Sequence, residues 1–105
     1  MALFGKSDTT SRALIRNGTD KPLLLIFEPW CWTHELAPNA QLVCEATSPR
    51  PGLLEVEYTK DAVTVHAWDA CVGRVLDPRG VLIESLDIRV PDFIGLDEAR
   101  AKKAQ

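Results

Sequence analysis

The stretch Leu54-Glu55-Val56-Glu57-Tyr58 alternates apolar and charged residues without a break. After Thr59-Lys60-Asp61 the alternation resumes, with Val63, Val65 and Ala67 on one parity and Thr64, His66 and Trp68 on the other. A period of two sends successive side chains to opposite faces of a strand, so both segments read as half-buried strands joined by a tight turn. No helix-period pattern fits either segment, and this restricts the chain to β architectures.

The rest of the chain up to Glu84 follows the same rhythm. Arg12–Arg16 is a short candidate strand closed by the turn signal Asn17-Gly18-Thr19-Asp20. Pro22–Phe27 is apolar throughout and too short for a helix between that turn and Pro29, which fits a strand buried on both faces. Pro29 lacks a ladder donor and interrupts that strand or lies at an edge. Thr33–Leu36 is a further short strand, Ala37-Pro38-Asn39 a turn, Gln41–Ala46 an alternating strand and Ser48–Gly52 a rigid loop. Cys71–Leu76 and Val81–Glu84 form a hairpin around Asp77-Pro78-Arg79-Gly80, where glycine is free to take a positive φ. Seven or eight short strands with turns between them make an antiparallel sandwich or a small barrel.

The domain divides into a flexible N-terminus over 1–10, a β-sandwich over 11–86 and a tail over 87–105 that is helical or irregular. Asp92 or Asp97 can cap a tail helix, and Glu98 with Lys102 is a favourable i,i+4 pair. Phe93 and Ile94 are the expected anchor of this tail on the sandwich or on a second subunit.

A chain of 105 residues, 46% hydrophobic and 26% charged, holds one modest core and no second domain. Its net charge of -3 is spread along the chain, and Lys and Arg nowhere cluster into a phosphate-binding stripe, which argues against nucleic acid. Residues 1–12 hold no apolar stretch long enough for a signal peptide, and the longest apolar run, Leu23–Phe27, is too short to cross a bilayer. Cys31, Cys44 and Cys71 are an odd number, as expected of free thiols in a cytoplasmic protein.

Asn17, Thr19, Pro22-Leu23, the apolar strand ending Glu28-Pro29-Trp30, the turn at Pro38 and the stretch from Val63 past Trp68 to Gly80 carry a resemblance. Over residues 17–45 and 62–84 the chain resembles small uncharacterised bacterial β-sandwich proteins of cupredoxin-like, Greek-key outline. The resemblance implies an all-β, antiparallel Greek-key sandwich and brings no activity with it. Asn39 stands where such proteins tend to have glycine, and Trp32 where they have something small or polar.

The segment Glu28-Pro29-Trp30-Cys31-Trp32-Thr33-His34-Glu35 gathers the chemistry-bearing residues. Cys31, His34, His66 and Cys71 are good zinc ligands by type. Each pair is an odd number of residues apart, so its members point to opposite faces of a continuous strand and need a bulge or turn to converge. Copper lacks its axial ligand, because Met1 is the sole methionine. Cys31 with His34 is the one local nucleophile–base pair and meets the same parity obstacle. No catalytic or cofactor motif is present, and no cofactor is expected.

Trp30 follows the apolar strand and is expected to close one end of the core. Trp32, His34, His66 and Trp68 are the candidate interaction surface, with Trp32 as the exposed anchor. The expectation is a non-catalytic binding or interaction module for a protein or small ligand, with scope for self-association. The alternative is a small metal-binding protein or enzyme centred on Cys31, His34, His66 and Cys71.

Overall fold

A computed structural model describes residues 8–86, and they are all-β. The eight strands are β1 (Thr9–Arg16), β2 (Leu23–Glu28), β3 (Trp32–Leu36), β4 (Gln41–Ser48), β5 (Glu55–Tyr58), β6 (Ala62–His66), β7 (Val72–Leu76) and β8 (Leu82–Leu86). They form two four-stranded sheets, of order β1-β4-β7-β8 and β3-β2-β6-β5. The tail over 87–105 and the first seven residues lie outside the described residues. Among the described residues no helix is long and apolar enough to cross a membrane.

Two features differ from the sequence expectation. β1 begins at Thr9, inside the stretch assigned to the flexible N-terminus, because Thr9 and Thr10 pair with Ser48 and Thr47 of β4. β2 and β6 run parallel, with Leu25 beside Val63 and Phe27 beside Val65, whereas every other neighbouring pair is antiparallel. Parallel neighbours need a long crossover. Here β3, β4 and β5 supply it, and β4 lies in the opposite sheet.

The core fills the space between the sheets. Ile15, Leu42, Cys44, Ala46 and Val75 come from one sheet, and Leu25, Phe27, Leu36, Val63 and Val65 from the other. β2 is not buried on both faces as its continuous apolarity suggests: Leu25 and Phe27 are fully buried on the core side, whereas on the outer side Leu24 is 41% exposed and Ile26 half-buried, because no second layer covers that face among the described residues.

Asn17 ties the loops at one end of the sandwich. It is fully buried, and its Nδ2 donates to the carbonyls of Lys21 at 2.7 Å and Leu36 at 2.9 Å. Its Oδ1 accepts from Thr19 N at 3.0 Å and Thr19 Oγ1 at 2.7 Å. Its backbone joins the β3–β4 loop, with Asn17 N donating to Ala40 O and Asn39 N donating to Asn17 O. Asn39 stands at φ 67°, the left-handed region in which asparagine is a tolerated substitute for glycine. The β7–β8 turn is held by Asp77, whose Oδ1 accepts from Arg79 N and Val81 N, while Gly80 takes φ 91°.

Candidate functional site

The residues singled out from the sequence divide among three places. Cys44 and Cys71 are fully buried, and burial pushes the Cys44 thiol up to about 12. Cys31 is exposed, at φ 56° in the β2–β3 turn that follows a cis Glu28–Pro29 bond. His66 stands on the outer face of the second sheet, with its Nε2 3.1 Å from Glu57 Oε1. Glu28 neighbours it in register, and Glu28 Oε1 is buried without a hydrogen-bond partner among the described residues. Cys71 is buried just ahead of β7 in one sheet, whereas His66 ends β6 in the other, so the chain leaves one sheet for the other between them and they do not share a strand. Among the described residues no three His, Cys, Asp or Glu side chains come together as a metal site.

The tryptophans close the sandwich. Trp30, Trp32 and Trp68 are all half-buried and packed against the core. Trp30 meets Phe27 edge to face at 4.8 Å. Trp32 is not a free surface indole: it stands opposite Phe27 on the edge strand β3 and stacks on His34 at 5.7 Å. Trp68 lies past the end of β6, where its Nε1 donates to Arg50 O at 2.8 Å. A Cβ on Gly52 would stand 2.2 Å from the Trp68 ring, so glycine is what lets the Pro51–Gly52 backbone cross this indole.

A site without a sequence signal lies on the outer face of the β1-β4-β7-β8 sheet. A groove of about 410 Å³ is lined there by Asp8, Thr10, Arg12, Glu45, Thr47, Val72 and Arg74. Register builds it: Arg12 stands opposite Glu45, and Glu45 opposite Arg74, in one row across three strands. Arg12 Nε donates to Glu45 Oε2 at 2.6 Å, and Arg74 Nε donates to Glu45 Oε1 at 2.6 Å. The Glu45 side chain is 5% exposed, whereas those of Arg12 and Arg74 are 63% and 47% exposed. Burial alone would raise the Glu45 carboxyl, but the hydrogen bonds and charges of Arg74 and Arg12 outweigh it and hold it below the usual carboxylate range.

The neighbouring rows differ in kind. On one side Thr10, Thr47 and Val72 are in register, with the two threonine hydroxyls 2.9 Å apart and Asp8 beyond them. On the other side Leu14, Val43, Leu76 and Leu82 form an apolar row across all four strands. Leu14 is 59% and Leu82 50% exposed. The rows lie about 7 Å apart, two residues along a strand.

The fold and this face define an all-β, two-sheet protein with a mixed polar and apolar groove on one outer surface. Comparison with protein-family models, with curated proteins and with solved structures finds no match for the chain.

Proposed function

We propose that the chain is a non-catalytic binding module whose contact surface is the outer face of the β1-β4-β7-β8 sheet. The observation that carries this reading is the Arg12–Glu45–Arg74 clamp inside a groove. Glu45 engages each guanidinium through Nε alone, so the Nη edges of both arginines are oriented and open. A pair of guanidinium groups already held in place loses little freedom on receiving a carboxylate. The apolar row at Leu14 and Leu82 asks for an apolar group about 7 Å from that carboxylate. The preferred occupant is therefore a polypeptide segment that sets an acidic residue beside large apolar ones.

The test is an NMR titration of the full chain with acetyl-Phe-Asp-amide and with acetyl-Phe-Asn-amide. The Asp peptide should move the side-chain Nε–H signals of Arg12 and Arg74 and the amides of Leu14 and Val43, and the Asn peptide should do so far more weakly. Equal responses to the two peptides, or none on this face, would overturn the reading. A second reading places the contact surface at the stacked Trp32–His34 pair on the β3 edge, and shifts centred there would favour it.

A further inference from the structure

The two outer faces of the sandwich carry opposite charge, and each holds exposed apolar side chains. Among the eight strands every arginine lies in the β1-β4-β7-β8 sheet, as Arg12, Arg16 and Arg74, and neither sheet holds a lysine. The β3-β2-β6-β5 sheet carries four glutamates, Glu28, Glu35, Glu55 and Glu57, and no arginine. Alternation sets all four on the side away from the core, because Leu25, Phe27, Val63 and Val65 take the inner parity. Glu35, Glu55 and Glu57 are exposed, and Leu24 on the central strand β2 stands in register beside Glu35. We infer that the outer face of the β1-β4-β7-β8 sheet is occupied by the outer face of the β3-β2-β6-β5 sheet of a second copy of this chain; this rests on the reading of the first face as a contact surface.

The second copy offers what the clamp asks for, carboxylates beside large apolar groups. Leu24 adjoins Glu35, and Ile26 shares a row with Thr64 and Glu57. Facing them stand Arg12 and Arg74, with Arg16 on the other side of Leu14 along β1. The acids on the basic face are Asp8 and the buried Glu45, so three arginines leave an excess of cation for the incoming glutamates. Two like faces would set arginines against arginines or glutamates against glutamates, so charge selects the head-to-tail pairing. The two faces lie on opposite sides of one sandwich, so each added copy leaves one face free and the contact repeats as an open stack. Area limits its strength. Four strands about 4.8 Å apart and about five residues long present about 300 Å² per partner, against about 800 Å² per partner in a standard stable complex. The association is therefore weak, and because it leans on charge it is screened by salt.

Sedimentation velocity of the full chain tests this. At low salt the weight-average mass should rise above the 11.6 kDa of one chain as the concentration approaches about 1 mM, and it should fall back in about 1 M NaCl, where charges act over only about 3 Å. Glu55→Lys with Glu57→Lys, both at exposed positions, spoils the acidic face. Leu14→Glu with Arg16→Glu, also exposed, spoils the basic one. Each double variant should stay monomeric with an unchanged melting temperature. An equal mixture of the two should form a one-to-one dimer and grow no further, because each contributes only one intact face. The milder Glu57→Gln and Arg16→Gln should each weaken association severalfold, which covers the case of a double variant that fails to fold. A monomeric parent chain at about 1 mM in low salt overturns the inference, as does association indifferent to about 1 M NaCl. A mixture of folded double variants that fails to pair also overturns it. Association that survives Glu55→Lys with Glu57→Lys uses two like faces or another surface and overturns the head-to-tail occupant. In each of these cases, movement of the Arg12 and Arg74 Nε–H signals by acetyl-Phe-Asp-amide leaves the contact-surface reading standing, and absence of movement removes both readings.

Discussion

Gly73 on β7 lies beneath the indole of Trp30: a Cβ placed on it would stand 2.8 Å from Trp30 Cη2 and 2.9 Å from Cζ3. The strand has given up a side chain so that the ring can lie across it and meet Phe27. Gly73→Ala should therefore destabilise the protein by about 1–3 kcal/mol through overpacking. Trp30→Ala vacates the same space, so the two substitutions should be non-additive, with the alanine at 73 costing little in the double variant. Urea denaturation of the four proteins measures this; simple additivity would show that the ring and the glycine do not share the space.

Asn17 looks like a turn residue in the sequence and is a fully buried hub in the fold. Asn17→Ala strips the Lys21 and Leu36 carbonyls of their donor and should cost about 2–4 kcal/mol. Thr19→Ala, at an exposed residue, should cost less, about 1 kcal/mol. The contrast is read from chemical denaturation midpoints, and equal small effects would contradict the hub.

Glu45 links stability to pH. Its carboxyl is held below its ordinary range in the folded state by Arg74 and Arg12, so the unfolded chain takes up the proton first as pH falls. The stabilisation is full above the unfolded value, about 4.3 for a glutamate, and drains away as pH drops through that value towards the lower folded one. Asp77, held down by the hydrogen bonds from Val81 and Arg79, contributes in the same direction. Glu45→Gln should be less stable than the parent at neutral pH, and the gap should narrow below pH of about 4. A gap independent of pH would mean that the clamp stabilises by packing alone.

The thiols should separate by burial. Cys31 is exposed, whereas Cys44 and Cys71 are fully buried and the Cys44 thiol is pushed up to about 12. Only a thiolate attacks a disulfide reagent, so in the native protein Cys31 alone should react rapidly at mildly alkaline pH. All three should react in denaturant. Fast native modification of Cys44 would show that the core opens far more often than its packing implies.

Much of the fold was legible because strands announce themselves locally. Glu55–Tyr58 and Ala62–His66 fall within the alternating stretches, and Asp77–Gly80 forms the expected turn. The burial of Leu25 and Phe27 was legible in the unbroken apolarity of β2, but the exposure of Leu24 on its outer face was not. The roles of Trp30 and Trp32 were not. Their sequence neighbours differ, yet β3 pairs with β2 and brings Trp32 opposite Phe27, so both indoles pack on the core. The Arg12–Glu45–Arg74 row left no trace, since its members are distant along the chain and alternation reports a face without its partner strand.

What the sequence determined by itself is the set of properties that short range controls: a period of two and turn chemistry. Tertiary structure decided which strands are neighbours. That choice set β2 parallel to β6, buried Asn17 between two loops and lined up two arginines on one glutamate. The reason is physical: side-chain alternation is a property of one strand's backbone, whereas pairing and register arise from closing one core between two sheets, and only then do residues far apart in the chain acquire a common site.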